Sequence, residues 1–164
     1  MSAAYNVPNL LTWLRIVLIP VVVALFYLPY DWGDVAAGLL FAAAGITVLL
    51  DGYMARRMNQ VSPLGAFLDP VADKLIVATA LVLIVSRDPT WYITLMAVVI
   101  IGREIAISAL REWMAEIGAR RRIAVSGLGK FKTILQIVGL SMMLFHEDLL
   151  GLPIYRIGTV LTIV

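Results

Sequence analysis

Six apolar runs, separated by short polar connections, constrain this chain more than any other feature of its sequence. We place the runs at Leu10–Leu28, Val35–Leu50, Val71–Val85, Trp91–Ala109, Leu128–Phe145 and from Ile154 onward. Hydrophobic residues make up 62% of the 164 positions and charged residues 15%, whereas a soluble domain is about 45–50% apolar and about 25% charged. A globule this small cannot bury so much apolar surface. The composition therefore excludes an ordinary soluble domain, a disordered chain and a disulfide scaffold, and it indicates lipid as the solvent.

The runs predict helices because none of them alternates between apolar and polar residues with the period of two that strands show. Several runs are shorter than the roughly 20 residues that cross a hydrocarbon core, so we expect helices that continue beyond the lipid into water. The last run reaches only to Val164, and we expect a truncated last helix. We therefore predict one all-α, membrane-embedded domain over residues 1–164, built as a six-transmembrane-helix bundle.

Basic residues are concentrated in two of the five connections. The second and fourth connections carry seven of them: Arg56, Arg57, Arg120, Arg121, Arg122, Lys130 and Lys132. The other connections carry mainly acidic residues, with Arg87 and the nearby Arg156 as the basic residues on that side. Because Lys and Arg favour the cytoplasmic side of a membrane, we expect the N-terminus and the basic connections in the cytoplasm.

Composition also excludes several site chemistries. The chain has no cysteine and one histidine, His146, which excludes thiolate metal sites, cysteine nucleophiles and a histidine zinc cluster. The net charge of +2 gives no general signal for binding polyanions. We therefore expect no nucleic-acid partner.

Three aspartates at the cytoplasmic side predict a cation site. Asp69 and Asp73 are four residues apart and share one face of a helix, and Asp51 closes the second run on the same side. Three carboxylates in one place repel each other unless a cation holds them, and oxygen ligands favour Mg²⁺, Mn²⁺ or Ca²⁺. The alternative is that each aspartate caps a helix or pairs with a nearby basic residue such as Arg56 or Lys74.

The fourth run carries charged residues suited to a phosphate. Glu104, Ser108 and Arg111 fall near one helical face, and Arg103 borders it. An arginine can bind phosphate oxygens through two parallel hydrogen bonds, and Glu104 can hold an arginine in place. The alternative is a structural ion pair between Arg103 and Glu104.

The segment Asp51–Arg56, with Gly65, Asp69 and Asp73 at their spacings, resembles the signature of the CDP-alcohol phosphotransferase family. The segment Asn6–Arg15 is similar to the N-terminal segment of that family. Gly102–Glu116 and Gly129–Thr133 resemble the branch of the family whose acceptor is glycerol 3-phosphate. The resemblance implies a six-helix bundle, usually a homodimer, whose polar cavity faces the cytoplasm from the plasma membrane, the inner membrane of a bacterium.

The resemblance also implies a reaction: phosphatidyl transfer from CDP-diacylglycerol to glycerol 3-phosphate in phospholipid biosynthesis, with release of CMP and with Mg²⁺ or Mn²⁺ as cofactor. It implies Asp51, Asp69 and Asp73 as metal ligands, with Asp73 also as the general base. The positions implied at CDP-diacylglycerol are Asn9, Thr12, Gly52, Arg56 and Ser62. Those implied at the phosphate of glycerol 3-phosphate are Arg103, Arg111 and Lys130.

One position departs from the family pattern. The family has an aspartate three residues before the Asp-Gly pair, and Val48 stands there in this chain. Four aspartates hold two cations in the family and three remain here, so we expect at least one cation to bind weakly and activity to be impaired. Two other hypotheses stay open. One is a small ion-coupled transporter, because intramembrane Asp and Arg–Glu pairs also mark ion pathways, and the other is a catalytically silent relative that binds CDP-lipid.

Overall fold

The fold is known from a computed structural model, which describes residues 7–58, 63–117, 127–145 and 153–163. Within these ranges, the side chains of residues 7–11, 31, 48–58, 63–67, 69 and 127–130 are not described. The described residues form six helices: α1 (Val7–Phe26), α2 (Asp31–Met58), α3 (Pro63–Arg87), α4 (Trp91–Glu116), α5 (Gly127–Phe145) and α6 (Ile154–Ile163). The prediction of an all-α chain with six helices is confirmed.

Three of the helices continue past their apolar runs at the end that carries the basic residues. The extensions are 51–58 in α2, 63–70 in α3 and 110–116 in α4. This confirms the expectation that the short runs belong to longer helices. The extensions also place Asp51 and Asp69 in helical backbone at that end.

Local sequence explains where several helices begin. Pro63 opens α3, where its missing N–H would have no partner in any case. Helix α2 begins at Asp31, two residues after Pro29. Before α4, Thr90 is extended at φ −63° and ψ 147°, and its N–H donates to Asp88 Oδ1 at 3.3 Å. A proline thus marks the start of α3, and a turn bonded to Asp88 precedes α4.

One apolar core joins the first five helices. Its buried members include Phe26 from α1, Phe41 from α2, Leu81 from α3, Ile93 from α4 and Leu140 from α5. Helix α3 packs against α1, α4 and α5, and α5 makes the most extensive contact of the bundle with α6. Helix α3 is therefore the central element, and it carries Asp73.

The end of the bundle away from the aspartate motif is closed by polar contacts. Arg87 at the end of α3 pairs with Asp34 of α2 at 2.7 Å, and its guanidinium lies 4.0 Å from the ring centre of Phe26. Tyr155 of α6 donates to Asp88 at 2.9 Å. We call this set the distal clasp, and it ties four helices together.

Helix α4 exposes a broad apolar face. Leu95, Val98, Val99 and Ile105 are each more than half exposed. By length and composition, α4 is the one helix in the described part of the chain that suits a membrane crossing, with four shorter apolar helices beside it. The six helices are confirmed, whereas six membrane crossings stay a prediction.

Close backbone contact between α5 and α6 yields a prediction about stability. A Cβ on Gly158 would lie 2.6 Å from the carbonyl oxygen of Gly139, whereas a Cβ on Gly102 of α4 would meet nothing within 4 Å. We expect Gly158→Ala to lower the free energy of unfolding by about 1–3 kcal/mol through overpacking. We expect Gly102→Ala to be neutral or to stabilise by up to about 1 kcal/mol. Thermal unfolding of both variants in detergent measures the difference, and equal midpoints would contradict the close contact.

Candidate active site

An ion pair between α1 and α3 lies at the centre of the site. Arg15 Nη1 donates to Asp73 Oδ1 at 2.5 Å, across 58 residues of sequence. The Arg15 side chain is 1% exposed and the Asp73 side chain is 40% exposed. A guanidinium removed from water needs a negative partner, and Asp73 provides it. In this ion pair the Arg15 guanidinium is therefore enclosed, whereas the Asp73 carboxylate stays partly exposed to solvent.

The surroundings of the pair are close-packed. Thr12, three residues before Arg15 on α1, is fully buried. Asp73 borders a cavity of about 40 Å³ whose wall includes Gly45 of α2 and Thr133 of α5. Such a volume holds about two or three water molecules. Four helices thus meet around the Asp73 carboxylate.

The other two aspartates of the motif are placed by their backbones alone. Asp51 lies in α2 and Asp69 in α3, four residues and about 6 Å of helix rise before Asp73. Their side chains lie outside the described residues, and among the described residues no group of three or more acidic, His or Cys side chains forms. Whether the three carboxylates converge stays a prediction.

A second polar cluster joins α4 to α5. Arg103 Nη2 donates to Glu104 Oε1 at 2.7 Å and to Gln136 Oε1 at 3.3 Å. Gln136 is 6% exposed, although it belongs to an apolar helix. Within the part of the chain that the structure describes, the buried Nε of Arg103 has no hydrogen-bond partner. Two acceptors therefore orient a guanidinium that keeps donor capacity.

The remaining predicted site residues are distributed as follows. Arg111 is exposed on α4, and Glu104 pairs with Arg103 rather than with it. Ser108 donates within α4 to the carbonyl of Glu104 at 2.6 Å. The predicted site positions outside the described side chains are Asn9, Val48, Gly52, Arg56, Ser62 and Lys130.

Comparison with known proteins decides the family. The sequence profile of CDP-alcohol phosphatidyltransferases matches residues 5–164. This chain belongs to the CDP-alcohol phosphatidyltransferase family. Among similar curated proteins, those of Escherichia coli K12 and Shigella flexneri serotype 5b are each 48% identical to it over 163 residues, and that of Salmonella choleraesuis is 47% identical. Each match covers 97% of this chain and 90% of the relative. All three relatives are named CDP-diacylglycerol–glycerol-3-phosphate 3-phosphatidyltransferase.

Two polar residues of this CDP-alcohol phosphatidyltransferase were missed by sequence reasoning. Arg15 was considered only as the end of the N-terminal segment Asn6–Arg15, and Gln136 received no role. Both stand inside apolar runs, where a polar group is costly without a partner. This burial cost is the signal that could have identified both residues, but it does not predict which residue each one contacts. The partners, Asp73 and Arg103, became known only from the packing of the helices.

The unequal burial of two arginines yields a second prediction. Asp73→Ala removes the carboxylate that enclosed Arg15 uses, so we expect a loss of about 3 kcal/mol of unfolding free energy. Asp34→Ala removes the partner of Arg87, which is 25% exposed, and we expect a loss of about 1 kcal/mol or less. Chemical denaturation in detergent with divalent cations chelated compares the two. A larger loss for Asp34→Ala would contradict the assignment of Arg15 as the enclosed cation.

Proposed function

We propose that this chain is a phosphatidylglycerophosphate synthase, which transfers the phosphatidyl group of CDP-diacylglycerol to glycerol 3-phosphate and releases CMP. The observation that carries the proposal is the identity of almost half of the residues with relatives of that name, over 97% of this chain. The part-buried Arg103, which Glu104 and Gln136 orient, agrees with an acceptor that carries a phosphate. A transporter would not require the spacing from Asp51 through Arg56 to Asp73 that the sequence contains.

A divalent cation fits the residues that the proposal places at the site. Asp51, Asp69 and Asp73 supply carboxylate oxygens, which hard cations such as Mg²⁺ and Mn²⁺ prefer. The Asp73 carboxylate is partly exposed and borders a cavity, so one described ligand is accessible to an ion. When bound, the cation neutralises charge on the pyrophosphate of the lipid substrate and on the leaving CMP. We propose that Val48, which supplies no oxygen, weakens one of the two cation sites of the family.

The chain's own residues account for the proton in the proposed step. The free primary hydroxyl of glycerol 3-phosphate attacks the lipid-linked phosphorus, so a new P–O bond forms. The P–O bond to the CMP phosphate breaks, and CMP leaves with the electron pair. Asp73 receives the hydroxyl proton as general base. Asn9, Thr12, Gly52, Arg56 and Ser62 surround the cytidine diphosphate in this proposal.

The acceptor phosphate is assigned to the cluster on α4 and α5. Arg103, Arg111 and Lys130 would bind its oxygens, and Arg103 is already oriented by Glu104 and Gln136. Guanidinium groups suit phosphate because their donors match pairs of phosphate oxygens. A neutral alcohol as acceptor would leave these cations without a function, which favours a phosphorylated acceptor.

The membrane arrangement is part of the proposal. We infer six crossings as one domain, with the N-terminus and the site on the cytoplasmic side of the bacterial inner membrane, because the basic residues lie at that end. The exposed apolar faces would contact lipid. For the homodimer that the family resemblance implies, the groove of about 260 Å³ between α3 and α4 offers apolar surface.

The test is release of CMP from CDP-diacylglycerol by the purified chain in detergent, with glycerol 3-phosphate and Mn²⁺. We expect release that depends on both substrates, with one CMP per phosphatidylglycerophosphate formed. Val48→Asp should lower the Mn²⁺ concentration that gives half-maximal rate, because it restores a carboxylate. Asp73→Asn should lower kcat by about 10²–10⁴-fold, because it removes the base and keeps the size of the side chain.

Three outcomes separate the hypotheses. Release by the unmodified chain supports the enzyme, and release only after Val48→Asp supports a silent relative. Absence of release from both, together with ion flux in liposomes, supports the transporter. A normal kcat in Asp73→Asn would remove Asp73 from the role of base.

Gln136 gives a further prediction on the acceptor side. We expect Gln136→Leu to raise KM for glycerol 3-phosphate about five-fold, because Arg103 loses one of its acceptors. The KM for CDP-diacylglycerol and kcat should change little, since the loss affects binding of one substrate. Ser141→Ala is the matched control, because Ser141 is also a buried polar residue of α5 but bonds only within the helix in the described contacts, to Ile137. Equal changes in both KM values would contradict the prediction.

A further inference from the structure

Arg15 stands apart from the other charged residues of the chain. Among the charged side chains that the structure describes, it alone is buried, at 1% exposure. It lies in the middle of α1 between apolar residues, where an arginine is costly to insert. A side chain placed at such cost requires a physical reason.

Joining α1 to α3 is an insufficient reason, because a second arginine already does so at the other end. Arg87 of α3 donates to the carbonyl of Phe26 at the end of α1, at 3.3 Å, and its guanidinium lies over the Phe26 ring. Asp73 and Arg87 are separated by 14 residues of α3, or about 21 Å of helix rise. The same helix pair therefore carries one arginine contact at each end, and only one of them involves the aspartate motif.

The ion pair at the motif is asymmetric in a way that suits a shared carboxylate. The cation is enclosed, whereas its partner Asp73 is 40% exposed and borders the cavity between α2, α3 and α5. Arginine is planar and cannot lose its charge at ordinary pH, so it fixes both the direction and the charge of its contact. An enclosed, permanent cation thus restrains an accessible carboxylate.

We propose that Arg15 is a positioning residue that shares the Asp73 carboxylate with the divalent cation. The inference rests on the proposed function, in which Asp73 is a metal ligand and the general base. Arg15 orients the carboxylate for proton transfer, because catalysis falls steeply when a reacting group is misplaced. Its positive charge also repels a divalent cation that binds the same carboxylate. Arg15 therefore favours turnover and weakens cation binding.

These two effects have opposite signs, which separates them from a loss of folding. Removal of the guanidinium should tighten binding of the cation while slowing the reaction. A side chain that only docks α1 on α3 would do neither in the folded protein. The signature is thus a higher affinity for Mn²⁺ combined with a lower kcat.

The experiment compares three variants of the full chain, purified in detergent. Arg15→Met removes the charge and keeps an apolar side chain of similar length. Arg15→Lys keeps the charge, which preserves the buried pairing, but lacks the planar group. Arg87→Met is the matched control, because it breaks the arginine contact at the distal clasp. Binding of Mn²⁺ alone is measured from the electron paramagnetic resonance signal of free Mn²⁺, and kcat and both KM values from CMP release at saturating Mn²⁺.

We expect Arg15→Met to lower the half-saturating Mn²⁺ concentration about 5-fold or more. The same variant should lower kcat about 10²-fold. Both KM values should stay within about three-fold of those of the unmodified chain. Arg15→Lys should bind Mn²⁺ within about two-fold of the unmodified chain and lose about 10-fold in kcat. Arg87→Met should lower the thermal midpoint and leave Mn²⁺ binding and kcat unchanged below it.

Unchanged Mn²⁺ binding or unchanged kcat in Arg15→Met would overturn the inference, as would a normal kcat in Arg15→Lys. Equal effects of Arg15→Met and Arg87→Met would reduce Arg15 to a helix-docking residue. Results other than these would overturn the proposed function itself. Those results are a normal kcat in Asp73→Asn, or no Mn²⁺ binding by the unmodified chain and by Val48→Asp.

Discussion

The cost of enclosing a charge among apolar helices governs the arrangement of this bundle. Arg15 is almost completely removed from water, and its guanidinium finds Asp73 on another helix. An unpaired ion at that position would cost several kcal/mol, so α1 and α3 cannot separate or rotate freely at this end. The position of Asp73 relative to the other helices follows from this contact. A buried cation of α1 thereby holds the Asp73 carboxylate of α3.

Different polar contacts join the helices at the two ends of the bundle. At the distal clasp, Arg87 and Tyr155 tie helices together through half-buried polar contacts, and the apolar core extends between the ends. At the other end, Arg15 of α1 pairs with Asp73 of α3, and Arg103 of α4 donates to Gln136 of α5. Sites that hold like charges are intrinsically unfavourable and need a stable remainder to support them. The apolar core and the distal clasp give α3, which carries Asp73, such a support.

The donor and acceptor halves of the proposed reaction lie on different helices. Asp73 is restrained by α1, whereas Arg103 on α4 is restrained by Gln136 on α5. Each group therefore depends on a contact between two helices, with partners 58 and 33 residues apart in the sequence. Val48, an apolar residue at the position of a family aspartate, suits an apolar helix but supplies no oxygen to the cation in the proposed reaction. In the reaction proposed for this member of the CDP-alcohol phosphatidyltransferase family, both groups act in one transfer.

The sequence alone determined the all-α class, the positions of the six helices and the family, because hydrophobic runs and motif spacing are local properties of the chain. It also indicated that the helices extend beyond their apolar runs. The partners of the buried polar groups were decided by tertiary structure. For the three aspartates the sequence offered helix caps or pairing with Arg56, Arg57 or Lys74 as the alternative to a cation. The structure pairs Asp73 with Arg15, 58 residues away. The burial cost of an ion is visible in a sequence, but the identity of its counter-ion depends on which helix faces meet, and this is set by the packing of the whole core.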